Sequence, residues 1–161
     1  MIMKESIKRG FSFGLTSGII TTIGIIVGLG YATNSKPIII GGILTVAIAD
    51  AFSDALGIHI SEESQKGITK KQIWESTFST YLSKLFFALL FIIPFLFFEI
   101  KTSIYIGIIY GIAMLGILSF FIAKEKRIKP LKVITEHISI AIIVIIITYY
   151  IGISINKIFI S

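Results

Sequence analysis

The chain has 161 residues, of which 55% are hydrophobic and only 15% charged. Its mean hydropathy of +0.93 excludes an ordinary water-soluble domain, which carries about 25% charged residues. The absence of cysteine excludes disulfides and thiolate metal sites. The net charge of +6 sits in short clusters between apolar runs, which marks membrane topology and not a nucleic-acid footprint.

Five apolar runs follow one another, at about residues 11–32, 38–60, 78–98, 103–123 and 138–155. Each is near the length that crosses a bilayer, and a lone spanning segment satisfies its backbone only as a helix. The expectation is an all-α integral membrane protein: one membrane domain over 1–161 with five transmembrane helices. The longer connections are expected at 61–77 and 124–137, and no separate soluble domain fits between them. Lys4, Lys8 and Arg9 precede a run that is long enough to span and has no evident cleavage site, so no cleaved signal peptide is expected.

The basic residues set an orientation. Lys4, Lys8, Arg9, Lys66, Lys70, Lys71, Lys124, Lys126, Arg127, Lys129 and Lys132 fall on one side, and Lys36, Lys101 and Lys157 on the other. This bias predicts the N-terminus inside and the C-terminus outside. The location expected is an integral multi-pass protein, in the cell membrane if the source is prokaryotic.

Along the first run, Gly10, Gly14 and Gly18 repeat every four residues and Gly24 and Gly28 continue the spacing. Such faces let helix backbones approach closely, and the expectation is a homodimer packed through Gly14 and Gly18. Thr16, Ser17, Thr21 and Thr22 add hydroxyls to the same run. The second run carries Asp50 and Asp54, four residues apart and so on one helix face. An acid in hydrocarbon costs about 2.5–3.5 kcal/mol on insertion scales, so two on one face point to function.

The third run contains Lys84 and Pro94. Pro94 is expected to kink its helix. Reckoned from the span midpoints, Lys84, Asp54 and Ser17 lie at one depth, where an Asp54–Lys84 ion pair would neutralise two buried charges. That leaves Asp50, near mid-membrane, as the better cation ligand. Met114 in the fourth run is expected to pack in the core, and Trp74 and Tyr81 to lie in an interfacial belt.

Hard divalent cations accept carboxylate oxygen, and exchange with protons needs a titratable ligand. Asp50 and Asp54 supply both, with the hydroxyls of Ser17, Thr21 and Thr22 available to complete a shell. His59, Glu62 and Glu63 are expected at the cytoplasmic mouth, collecting cations or simply forming a solvated helix end. Displacement of Lys84 from Asp54 by an arriving cation would make Lys84 a gate. No nucleophile–base arrangement is found, and His59 and His137 stand apart, so enzymatic activity is not expected.

These residues resemble the vacuolar iron transporter family, which includes the nodulin-21-like proteins. Gly14-Leu-Thr-Ser-Gly-Ile-Ile-Thr-Thr22 is similar to that family's first-helix motif, and Ser53-Asp-Ala-Leu-Gly57 with Ser61 and Ser64-Gln65 to its second-helix pattern. Pro94, the stretch from Lys124 to Pro130 and Thr148-Tyr-Tyr-Ile-Gly152 resemble the later helices. The resemblance implies a homodimer of five-helix subunits. It also implies proton-coupled export of Fe2+ or Mn2+ along a path near the dimer seam, with no resident cofactor. The family's first-helix acid falls at Ser17, its second-helix methionine at Asp54, the following glutamate at Ile58 and the tyrosine at His59. The cytoplasmic metal-binding helices of many members do not fit within 61–77. Two other readings stay open: a transporter-like protein with another substrate, such as a proton or organic-ion carrier, and a structural or regulatory membrane protein. The partners expected are a second copy, the bilayer, divalent cations and protons, and no nucleic acid.

Overall fold

The computed structural model describes residues 4–160. It contains five helices long and apolar enough to span a membrane: α1 (Glu5–Thr33), α2 (Lys36–Glu63), α3 (Lys70–Phe97), α4 (Ile100–Glu125) and α5 (Pro130–Phe159). The all-α, five-helix expectation is met. The helices outrun the apolar stretches that announced them: α1 begins at Glu5 instead of about 11, and α3 at Lys70 instead of about 78. Hydropathy marks only the length that lies in hydrocarbon, whereas backbone hydrogen bonding continues until a cap stops it. The loop between α2 and α3 therefore shrinks from the expected 61–77 to 64–69, and the one between α4 and α5 from 124–137 to 126–129.

Local chemistry accounts for these ends. Asn34 adopts the left-handed conformation (φ 47°) and its N–H closes α1 on the Gly30 carbonyl. Pro37 lies in the first turn of α2 and Pro130 opens α5, positions where the missing N–H costs nothing. Thr69 and Gln72 form a reciprocal capping box at the start of α3.

Two helices are interrupted within their length, and α5 ends in a π-helical turn, Asn156–Ile160. In α2 a π-helical turn, Val46–Asp50, separates Lys36–Thr45 from Ala51–Glu63. In α3 the α-helix ends at Leu90, turns at Phe91 and resumes at Ile92. Pro94 explains the second break: it has no N–H for the Leu90 carbonyl, and its ring crowds that carbonyl.

The helices pack around α1, whose largest interface is with α3, followed by α5, then α2 and α4. Half of the most apolar window of α1 is buried, against 11% of that of α5, so α1 is the hub and α5 the periphery. Ile19, Ile23 and Ile26 of α1 meet Ile39 and Ile43 of α2, Phe91 and Phe95 of α3 and Leu115 of α4 in the core. The outward faces carry Phe52, Leu56, Leu82, Phe86, Ile109 and Ile147, a surface suited to lipid and not to water.

The glycines of α1 serve a different contact from the one expected. Gly10 and Gly14 lie directly against the backbone of α3 at Ser76 and Thr80, where a Cβ would overlap main-chain atoms. A Cβ on Gly18 would meet the Lys84 carbonyl at 3.1 Å. Gly14 and Gly18 are buried inside the subunit, so the expectation that they form a dimer face is corrected. A small-residue stripe shows that two backbones approach, but not whether the second belongs to the same chain.

Candidate cation site

The close approach at Gly18 fixes the position of Lys84, whose side chain is fully buried between α1 and α2. Its Nζ donates to Asp50 Oδ2 at 2.5 Å, to Asp54 Oδ2 at 2.5 Å and to Ser17 Oγ at 2.9 Å. An ammonium has three donors, and all three are used. Three helices thus converge on one nitrogen, with one ammonium set against two carboxylates, a formal balance of one negative charge.

The local fold of α2 presents both acids. Asp50 is the last residue of the π-turn, and Asp54 lies in the first turn of the α-segment that follows. Their side chains are not equally covered: Asp50 is 36% exposed and Asp54 19%. Asp50 lines a cleft of about 660 Å³ between α1, α2 and α5, with Thr21, Gly24 and Gly28 on one wall, Thr45 and Ala49 on another and Thr148 opposite. The cluster therefore has an open side, through Asp50, and a closed side, through Ser17 and Lys84.

The Asp54–Lys84 contact and the Ser17 layer are present as expected, but Asp50 is not without a basic partner, since Lys84 bridges both acids. Thr21 stands on the cleft wall, and its hydroxyl is committed to the Ser17 carbonyl at 2.8 Å. Thr22 is buried, with its hydroxyl unpaired. Met114 lies at the edge of the core cluster.

The residues expected at the mouth divide. Glu63 is exposed. His59 Nδ1 lies 3.0 Å from Thr77 Oγ1, with its ring edge-on to Trp74. Glu62 is corrected from a solvated residue to a buried one, 2% exposed, because Arg9 of α1 and Ser76 of α3 close over it. Arg9 Nε reaches Glu62 Oε1 at 3.0 Å, and Ser76 Oγ donates to the other oxygen. This buried pair went unforeseen because a carboxylate at a helix end is ordinarily solvated. The cross-helix bond between Ser119 and His137, 2.7 Å, also carried no sequence signal. Among the described residues no group of three or more His, Asp or Glu forms a metal-binding cluster.

The chain is 26% identical to the uncharacterized protein MJ0645 of Methanocaldococcus jannaschii, over 86% of this chain and 87% of that one. The model of the VIT family matches residues 9–73. That stretch holds most of α1, all of α2 and the start of α3, and with them Ser17, Asp50 and Asp54 but not Lys84. The match points to a membrane metal-ion transporter. The chain is thus similar over residues 9–73 to the VIT family, the resemblance that its first two helices announced.

Proposed function

We propose that this protein is a cation transporter that carries Fe2+ or Mn2+ in exchange for protons, with Asp50 and Asp54 as cation ligands and Lys84 as an internal counter-ion. The observation that carries this reading is the bridging of both carboxylates by one buried ammonium, beside a cleft that Asp50 enters from the side. A buried acid pair without compensation is costly; Lys84 stabilises the empty state. A divalent cation approaching through the cleft meets Asp50 first. It competes for the oxygens that Lys84 holds, and the ammonium withdraws towards Ser17. Return of Lys84, or protonation of the carboxylates, releases the ion. Export from the cytoplasm, a cell-membrane location and a homodimer whose seam lies near the cleft complete the reading, and they rest on the family resemblance.

The test is Mn2+ or Fe2+ uptake by purified protein in liposomes under an imposed pH gradient. The parent should transport and Asp50→Asn should fold and fail. Full transport by Asp50→Asn would end the metal-site reading. The net formal charge of the Asp50–Asp54–Lys84 cluster favours a second reading, a carrier of protons or a monovalent cation, since one negative charge remains. Proton flux that needs Asp50 but no divalent ion would select it.

A further inference from the structure

We propose that the outer face of α3 holds one anionic phospholipid, its headgroup at Lys71 and its two acyl chains on either side of the Trp74–Phe78 ridge. Trp74 and Phe78 are stacked, with ring centroids 5.4 Å apart and planes at 29°, and both are exposed. They separate two grooves. The first, about 640 Å³, runs between α1 and α3 from Lys71 past Phe78 and Leu82 to Phe86, with Ile7 and Phe11 as its far wall. The second, about 450 Å³, lies between α2 and α3 and is lined by Phe52, Leu56, His59, Thr77 and Tyr81.

Two parallel apolar grooves with a shared ridge fit a two-tailed ligand. From Lys71 to Phe86 the helical rise gives about 22 Å. That exceeds the about 15 Å of hydrocarbon in one leaflet, so the groove accommodates a chain from headgroup depth to the midplane. The serine and threonine hydroxyls along the way are already committed. Ser79 donates to the Ile7 carbonyl at 2.7 Å, Ser83 to the Thr80 carbonyl at 3.2 Å, and Thr77 to the Ile73 carbonyl at 2.7 Å. The serines and threonines of the walls therefore offer an acyl chain no unsatisfied hydroxyl.

The charge lies at one end only. Glu75 is neutralised within the protein, by Lys4 at 2.7 Å and Ser6 at 2.6 Å. Among the described residues Lys71 forms no salt bridge, though its charge joins that of Lys4 in acting on Glu75 one turn away, and Lys70 stands next to it in the exposed first turn of α3. Basic side chains beside interfacial Trp form the chemistry that selects a negative headgroup over a zwitterionic one.

The test uses native mass spectrometry of the full chain, delipidated and then titrated with phosphatidylglycerol or phosphatidylcholine. The parent should retain phosphatidylglycerol at least several-fold more than phosphatidylcholine. Lys71→Glu should abolish that preference, and Leu82→Trp, which fills the first groove from an exposed position, should lower retention of both lipids. Lys157→Glu, at the far end of α5, should change neither. Equal retention of the two lipids by the parent, or a preference that survives both α3 substitutions, overturns the proposal. So does a change in dimer fraction without a change in lipid retention, which would make this face a contact between copies.

Discussion

Lys84 ties together three residues that each depend on it, and the strength of that dependence is measurable. Replacing it with Met leaves Asp50 and Asp54 without compensation, a change that costs less than the roughly 3–5 kcal/mol of a fully buried pair because Asp50 is 36% exposed and screened by solvent. Asp54→Asn is the milder change, because Lys84 keeps Asp50 and Ser17. The double variant Asp54→Asn/Lys84→Met should recover part of what Lys84→Met loses. Denaturation of the four proteins in detergent checks this, and strictly additive losses would show that the two side chains do not interact. The acids and the lysine were legible in the sequence because charge inside an apolar run is conspicuous. The bond from Lys84 to Asp50 was not. Depth reckoned from span midpoints assumes a uniform rise, whereas α2 contains a π-turn and the lysine stem is flexible enough to reach two levels. Glu62 was misplaced for a related reason: hydropathy says where a helix leaves hydrocarbon, not what folds over its end.

Among the elements, α2 and α3 are the ones whose irregularities matter. Pro94 announced the break in α3 in the sequence, since a residue without an N–H leaves a carbonyl unpaired. The π-turn of α2 had no such marker: Val46-Ala-Ile-Ala-Asp50 contains nothing that disfavours a plain α-helix. A π-turn is an α-helix holding one residue too many. Deleting Ile48, which is exposed and outside the core, should let Val46–Asp50 close into regular helix with both flanking segments kept in orientation. Deleting Ile40, in the regular segment before it, should rotate one side of the helix by about 100° relative to the other and carry Asp50 away from Lys84. The melting temperature of the Ile48 deletion should fall by a few degrees, and the Ile40 deletion should fail to yield folded protein. Equal loss in both would mean that the π-turn holds no spare residue. The glycines of α1 teach a complementary lesson, since their spacing revealed close packing while their partner, α3, came only from the tertiary structure.

At the scale of the whole molecule the number of helices was legible and their arrangement was not, because composition fixes what crosses hydrocarbon without fixing neighbours. The basic bias predicts an orientation. Reporter fusions after Lys71 and after Phe159 should report opposite faces of the membrane, inside for the first, and the same face for both would reject it. The burial of Lys84 between α1 and α2 has a further consequence, for biogenesis. The opposite charges of the cluster are carried by consecutive spans, acids on α2 and base on α3. During synthesis α2 leaves the ribosome with two carboxylates and no counter-charge, and each such group opposes partitioning by a few kcal/mol until Lys84 arrives. The insertion machinery therefore handles α2 and α3 best as a hairpin. In a glycosylation-mapping assay of truncated chains, α2 should integrate less completely when translation stops before α3 than when it continues to Phe97. Lys84→Met in the longer chain should remove most of that gain.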